Sequence, residues 1–368
     1  MKNKILGSLL IVGIVMVSAG NAAADGPQPW GESEAGAVYT MTNSPDGNTV
    51  VIFDRAEDGL LTKTDSVSTG GKGSGGGLDP LASQNSLVLS SDKRWLLAVN
   101  AGSNDISVFR VLPNGLKWVD KVDSGGVFPV GLTVHHDLVY VLNAGGSPNI
   151  AGFTLNHKGR LTPLAFSTRS LGSGAFTQVG FDPEGGVLVV ADRAGSTIFV
   201  YSVSDGGLPA ATPVVSASNG STPFGFIFDR RGRLLVVEVG PNAVSSYEIL
   251  PDGTLQVISG SVPNGQRAAC WIAGDGQGGV FTANPGSGTI SAYHLSARDG
   301  QVALLDGAAG GANKPLDLGV STDGRFLYAL DPGNGGIDMF RIQHDGSLIN
   351  LGSMDGTLPL FAQGIAAR

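Results

Sequence analysis

LLVVEVGPNAVSSY, residues 234–247, reads as an apolar β-rich run closed by an acid, a turn, a second β-rich run and a tyrosine. Six further stretches follow the same plan: VYTMTN with NTVVIF (38–53), LLAVNAGSNDISVF (96–109), VYVLNAGGSPNIAGF (139–153), LVVADRAGSTIFVY (188–201), VFTANPGSGTISAY (280–293) and LYALDPGNGGIDMF (327–340). Each carries a polar residue at one place: Asn43, Asn100, Asn143, Asp192, Glu238, Asn284 and Asp331. An aromatic follows nine or ten residues later, and a turn glycine six or seven after that, usually behind Asp or Asn, which is a hairpin signal. The polar position recurs every 43 to 57 residues.

Short strands with turns precede most copies, as in LVLSSDKR (87–94), VGFDPEGG (179–186) and LGVSTDGR (318–325). Each unit is therefore four short antiparallel strands, A to D, and radial repetition of such units makes a β-propeller. The fold expected is all-β: a single seven-bladed propeller over residues 25–368. The first copy lacks a strand A, and QGIAAR (363–368) has the look of one without a B. The C-terminal strand is expected to complete the first blade and close the ring, which removes open sheet edges.

Composition agrees. Gly is 57 of 368 residues and charged residues are 15%, which suits short strands and tight turns. Residues 1–24 read as a cleaved export signal: Lys2 and Lys4, the apolar Ile5 to Val17, then Ala22-Ala23-Ala24. The apolar run is short for a membrane span, so the mature chain is expected to be secreted or periplasmic, without a span. The formal charge is −8, and loss of the two leader lysines deepens it, which argues against nucleic acid as a partner. The lone Cys270 rules out an intramolecular disulfide and multi-cysteine metal sites.

The start of strand A and the end of strand B lie at the same end of the axis. The pattern therefore aims two rings at one mouth: Ser86, Gly131, Gln178, Gly225, Cys270, Asp317 and Gln363 from A, and the Asn/Asp/Glu set from B. These rings hold acids and no base, with Arg193 and Arg267 near enough to reach in and Phe224 close by. A small neutral molecule such as a lactone or polyol suits that mouth, as does a protein partner. No cofactor is called for and no metal ligand set is seen; a channel-bound divalent cation such as Ca²⁺ is the alternative an oxygen-rich mouth leaves open. A monomer is expected. Asn or Asp after a strand also caps turns, so for each ring member a structural role stands beside the functional one.

His135-His136 falls in an A–B turn at the opposite end, and His157, His294 and His344 fall at outer hairpins, which leaves no histidine at the mouth. TGGKGSGGG (69–77) lacks the ending of a phosphate loop and reads as a loop in the longest inter-blade gap, or a flap over the channel.

VYVLNAG (139–145) and LYALDPG (327–333) resemble the YVTN-type repeat, and STDGRFLYALD, GGIDMF and HDGSL (321–348) resemble the repeat unit of the seven-bladed propeller lactonases. That superfamily includes a 6-phosphogluconolactonase and a fungal carboxymuconate lactonising enzyme. The resemblance implies lactone hydrolysis, with Glu238 in the position of the family's glutamate at the end of a strand B. It would act as general base on water, with Gln178 or Asn284 donating to the oxyanion. The family's histidine and arginine partners have no match, since those segments read AFTQV (175–179), TPFGF (222–226) and Asn284-Pro285. Two readings stay open: an exported lactone hydrolase, or a non-catalytic exported propeller that binds a ligand or protein through the same mouth.

Overall fold

The computed structural model describes Met1 and residues 35–368, so the expected leader at 1–24 lies outside the described residues. The described chain forms seven antiparallel sheets of the expected kind. Blade one takes strands B to D from Gly36–Met41, Thr49–Arg55 and Leu61–Ser68, and strand A from Gln363–Ala367. Val38 to Met41 pair with Ala367 back to Gln363, so the last strand closes the ring as expected. The innermost strands of blades two to seven are Leu87–Leu89, Val127–His135, Phe176–Phe181, Pro223–Phe228, Trp271–Gly274 and Leu318–Val320.

Burial changes from the inner to the outer strands of each blade. Strands B are buried on both faces, as Trp95–Asn100 and Leu234–Glu238 are along their whole length, because each blade packs between two others. Strands D lie outermost and are largely exposed, as Leu61–Ser68 is after its first residue. The repeated glycine of the C–D hairpin has a packing reason as well as a conformational one. At Gly59 φ is +93°, and an added Cβ would sit 2.3 Å from the Phe326 ring of blade seven. At Gly159 φ is +79°, and the Cβ would meet Trp95 of blade two at 2.3 Å. The hairpins of blades one, three and four, with Gly207 against Leu138 in the last, thus press on the start of a neighbour's strand B.

Blade three departs from four strands. Its outer strand runs Leu161–Pro163, breaks, and resumes at Arg169–Ser170 against the same neighbour. Pro163 has no amide to continue the ladder, and the chain loops outward before returning. No helix among the described residues is long and apolar enough to cross a membrane.

Candidate functional site

The polar residues ending strands B are engaged inside the ring rather than open to solvent. All seven are buried, and Glu238 has no exposed surface. In blades three to seven each one pins the linker that arrives from the blade before. Asn143 donates to the Ser124 carbonyl, Asp192 accepts from the Ala175 amide, Asn284 accepts from Asn264, and Asp331 accepts from the amides of Asn313 and Lys314. In the first two blades the long linker does the same work. Asn43 exchanges hydrogen bonds with Ser74, and Asn100 bonds Asp105 and Ser107 while Gly71 packs on it. A linker crossing a blade end has amides and carbonyls that no ladder satisfies, and this position supplies their partners.

Glu238 is the extreme case. Its Oε1 accepts from Ser218 Oγ (2.9 Å), the Gly220 amide (2.7 Å) and Tyr247 Oη (3.0 Å). Its Oε2 accepts from Ser245 Oγ (2.9 Å) and Ser261 Oγ (2.6 Å). The repeat builds this cage. The serine seven residues on, also seen as Ser107 beside Asn100 and Ser291 beside Asn284, faces the ring position across the B–C turn. The aromatic nine residues on is Tyr247 here, and burial, then the Glu238 charge, pushes its hydroxyl up to about 12. Five donors on two oxygens fix the carboxyl group in place inside the blade. The other two candidates for chemistry are equally committed. Gln178 bonds the Phe226 amide and carbonyl of blade five, and Asn284 donates to Thr289 and Ser291.

The axis holds a feature the repeats could not announce. After the glycine-rich stretch, whose residues bond Asn43, Ser44 and Ser103 rather than standing free as a flap, Ser83, Gln84 and Asn85 cross the inner strands. Ser83 Oγ bonds the Val130 carbonyl of blade three, and the Gln84 amide bonds the Thr177 carbonyl of blade four. The Gln84 side chain pairs with both backbone groups of Ile272 in blade six (2.9 and 3.0 Å). A Cβ on Gly225 of blade five would lie 2.2 Å from its Oε1. Trp271, stacked edge-on with Phe224, donates to the Ser83 carbonyl. Phe224 and Trp271 therefore hold this bridge and do not line an open wall.

Beside the bridge lies a cluster of ionisable groups. Asp79 comes from the long linker, Asp317 from the start of blade seven, Arg193 from just beyond strand B of blade four, and Cys270 from the start of blade six. Burial, then the neighbouring Asp317, pushes the Asp79 carboxyl up to about 8 against the pull of Arg193. Burial pushes Asp317 to about 7. Among the described residues each carboxylate accepts one amide, Ala82 for Asp79 and Gly364 for Asp317. Asp79, Arg193 and Cys270 keep partial exposure. Burial, reinforced by Asp79, pushes the Cys270 thiol up to about 12, so it is no nucleophile at neutral pH. Gln363 is buried nearby with its Oε1 unpartnered, and Arg267 is exposed on a loop packed against Gly286. The four acids expected at the mouth, Asp192, Glu238, Asp317 and Asp331, are all buried, and the half-buried acid beside Asp317 is Asp79 of the long linker. No group of three His, Cys, Asp or Glu that could hold a metal occurs among the described residues.

A family model described as lactonase, 7-bladed β-propeller, matches residues 44–175. No curated protein matches the sequence significantly. Among solved structures, a candidate 6-phosphogluconolactonase from Bacteroides fragilis is 17% identical, with 92% of this chain and 99% of that one covered and a TM-score of 0.71. The periplasmic gluconolactonase PpgL of Pseudomonas aeruginosa is 19% identical over 90% of this chain and 99% of its own, also at 0.71. Virginiamycin B lyase of Staphylococcus aureus is 13% identical, over 77% and 88%, at 0.53. The resemblance to the propeller lactonases therefore holds, in sequence over residues 44–175 and in fold around the ring.

Proposed function

We propose that this chain is an exported hydrolase of a neutral lactone, acting at the end of the axis where Asp79, Asp317 and Arg193 meet. The observation that carries the reading is the pair of neighbouring carboxyls pushed to about 8 and about 7, beside one cation, with Asp79 half-buried and Asp317 buried. Two such groups share a proton near neutral pH, which suits general acid–base work. The pair takes the proton of the attacking water as its oxygen bonds to the lactone carbonyl carbon. The Arg193 guanidinium donates to the oxyanion that forms. The ring C–O bond then breaks, and the pair returns the proton to the leaving alkoxide. The products are a hydroxy acid and an unchanged enzyme. Two acids against one arginine leave no spare cation for a phosphate, which favours a neutral ring. Export is supported by the leader-like residues 1–24 and by the likeness to a protein described as periplasmic.

The test is a panel of neutral and phosphorylated lactones against wild type and Asp79→Asn. A loss of kcat of about a hundredfold or more is expected on the best neutral substrate, with the melting temperature held. Full activity in Asp79→Asn would sink the assignment. A second reading, a ligand-binding propeller without chemistry, is favoured by the Gln84 bridge and by the internal commitment of Glu238, Gln178 and Asn284. Binding of a lactone at this mouth without turnover would establish it.

A further inference from the structure

At the opposite end of the ring, between blades five and six, lies a cavity of about 400 Å³. Its walls are two A–B turns: Asp229 to Arg233 of blade five and Gly274 to Gly279 of blade six. Ile227, Phe228 and Leu295 give it an apolar floor, and Arg230 and Arg231 stand at its rim. Every acid on these two turns is already engaged. Asp229 pairs with the buried Arg233, whose Nε lies 2.7 Å from its Oδ2, and also accepts the Arg231 and Arg233 amides. Asp275 accepts the amides of Gln277 and Gly279 across its own turn, and burial raises its pKa. Arg230 and Arg231 are exposed and have no ion pair among the described residues, though Arg231 touches the Arg298 carbonyl at 3.4 Å.

Glycine keeps the space open. Gly276 and Gly278 have φ of +72° and +113°, and a Cβ on Gly276 would lie 3.2 Å from the Arg230 guanidinium. Two unpaired guanidiniums above an apolar pocket are unusual on a chain of net charge −8. Guanidiniums match carboxylate and phosphate oxygens in pairs, and the pocket size fits a small ring or short acyl body. We propose that this cavity is a binding site, separate from the axial cluster, for an amphipathic anion: a compact apolar body with one carboxylate or phosphate head. The far side of Arg231 borders a groove lined by Asp182, Glu184 and Asp252, which disfavours a second negative group on the ligand.

Isothermal titration and ligand-observed NMR with phenyl phosphate, benzoate, benzamide and benzylamine test the site. The two anions are expected to bind in a salt-dependent way, benzamide at least about tenfold more weakly, and benzylamine not at all. Arg230→Ala combined with Arg231→Ala should weaken phenyl phosphate by about tenfold or more, the loss of roughly one charge-assisted contact. Both residues are exposed, so the melting temperature should hold, and Arg230→Lys should restore part of the benzoate affinity. Three results would each overturn the proposal: no anion binding at millimolar concentration, equal binding of benzamide, or unchanged binding in the double variant.

Discussion

Two buried carboxylate sites in this ring differ in how many donors they receive. Glu238 in blade five takes five hydrogen bonds from two strands and a linker, while the neighbouring Asp79 and Asp317 take one amide each among the described residues. A carboxylate whose oxygens are both filled by donors is fixed in place by its neighbours. A carboxyl that burial and a like charge push toward neutrality is poised to exchange protons. The glutamate that position singles out is thus the more tightly held, and the proposed chemistry is assigned where the acids receive fewer donors.

The largest effect that sharpens this contrast is on stability. Glu238→Ala should cost about 3–5 kcal/mol, because it strands the Ser218, Ser245 and Ser261 hydroxyls, Tyr247 and the Gly220 amide inside the blade. The urea midpoint measures it. Glu238→Gln should also lower the midpoint yet leave kcat per folded molecule near wild type; a collapse of kcat at an unchanged midpoint would reverse the two roles.

Next comes pH. Asp317 is raised from 3.8 in the unfolded chain to about 7 when folded, so its neutral form favours folding. That contribution is full below about pH 4 and is lost as pH rises through about 7. Stability should fall across that window, and Asp317→Asn should flatten the fall in urea titrations at pH 5 and 8. An unchanged slope would remove Asp317 from the coupled pair.

Blade seven offers a smaller test. Where blades two, five and six place serine, Asp338 faces Asp331, and burial, then Asp331, pushes it to about 8. Asp338→Ser should stabilise by about 0.5–1 kcal/mol at pH 9. Smallest of all, Cys270 should resist iodoacetamide at pH 8 in the folded protein and react promptly in urea.

Seven repeats in register, the aromatic and glycine that follow each polar position, and a final strand without a partner were enough to specify a closed seven-bladed ring from sequence. Repetition makes each blade evidence for the others. The polar ring was legible too, but its direction was not: alternation says that Glu238 and Asp331 leave a strand, and only packing says that a linker crosses above them. Asp79 and Gln84 were illegible for a different reason. They sit in the one long linker that follows no repeat, and their neighbours, Asp317, Ile272 and Gly225, lie some 140 to 240 positions away in the chain. Local sequence therefore determined the blades and their number. Closure of the ring, which alone brings distant inner strands to one axis, decided which acids are caged by many donors and which keep few.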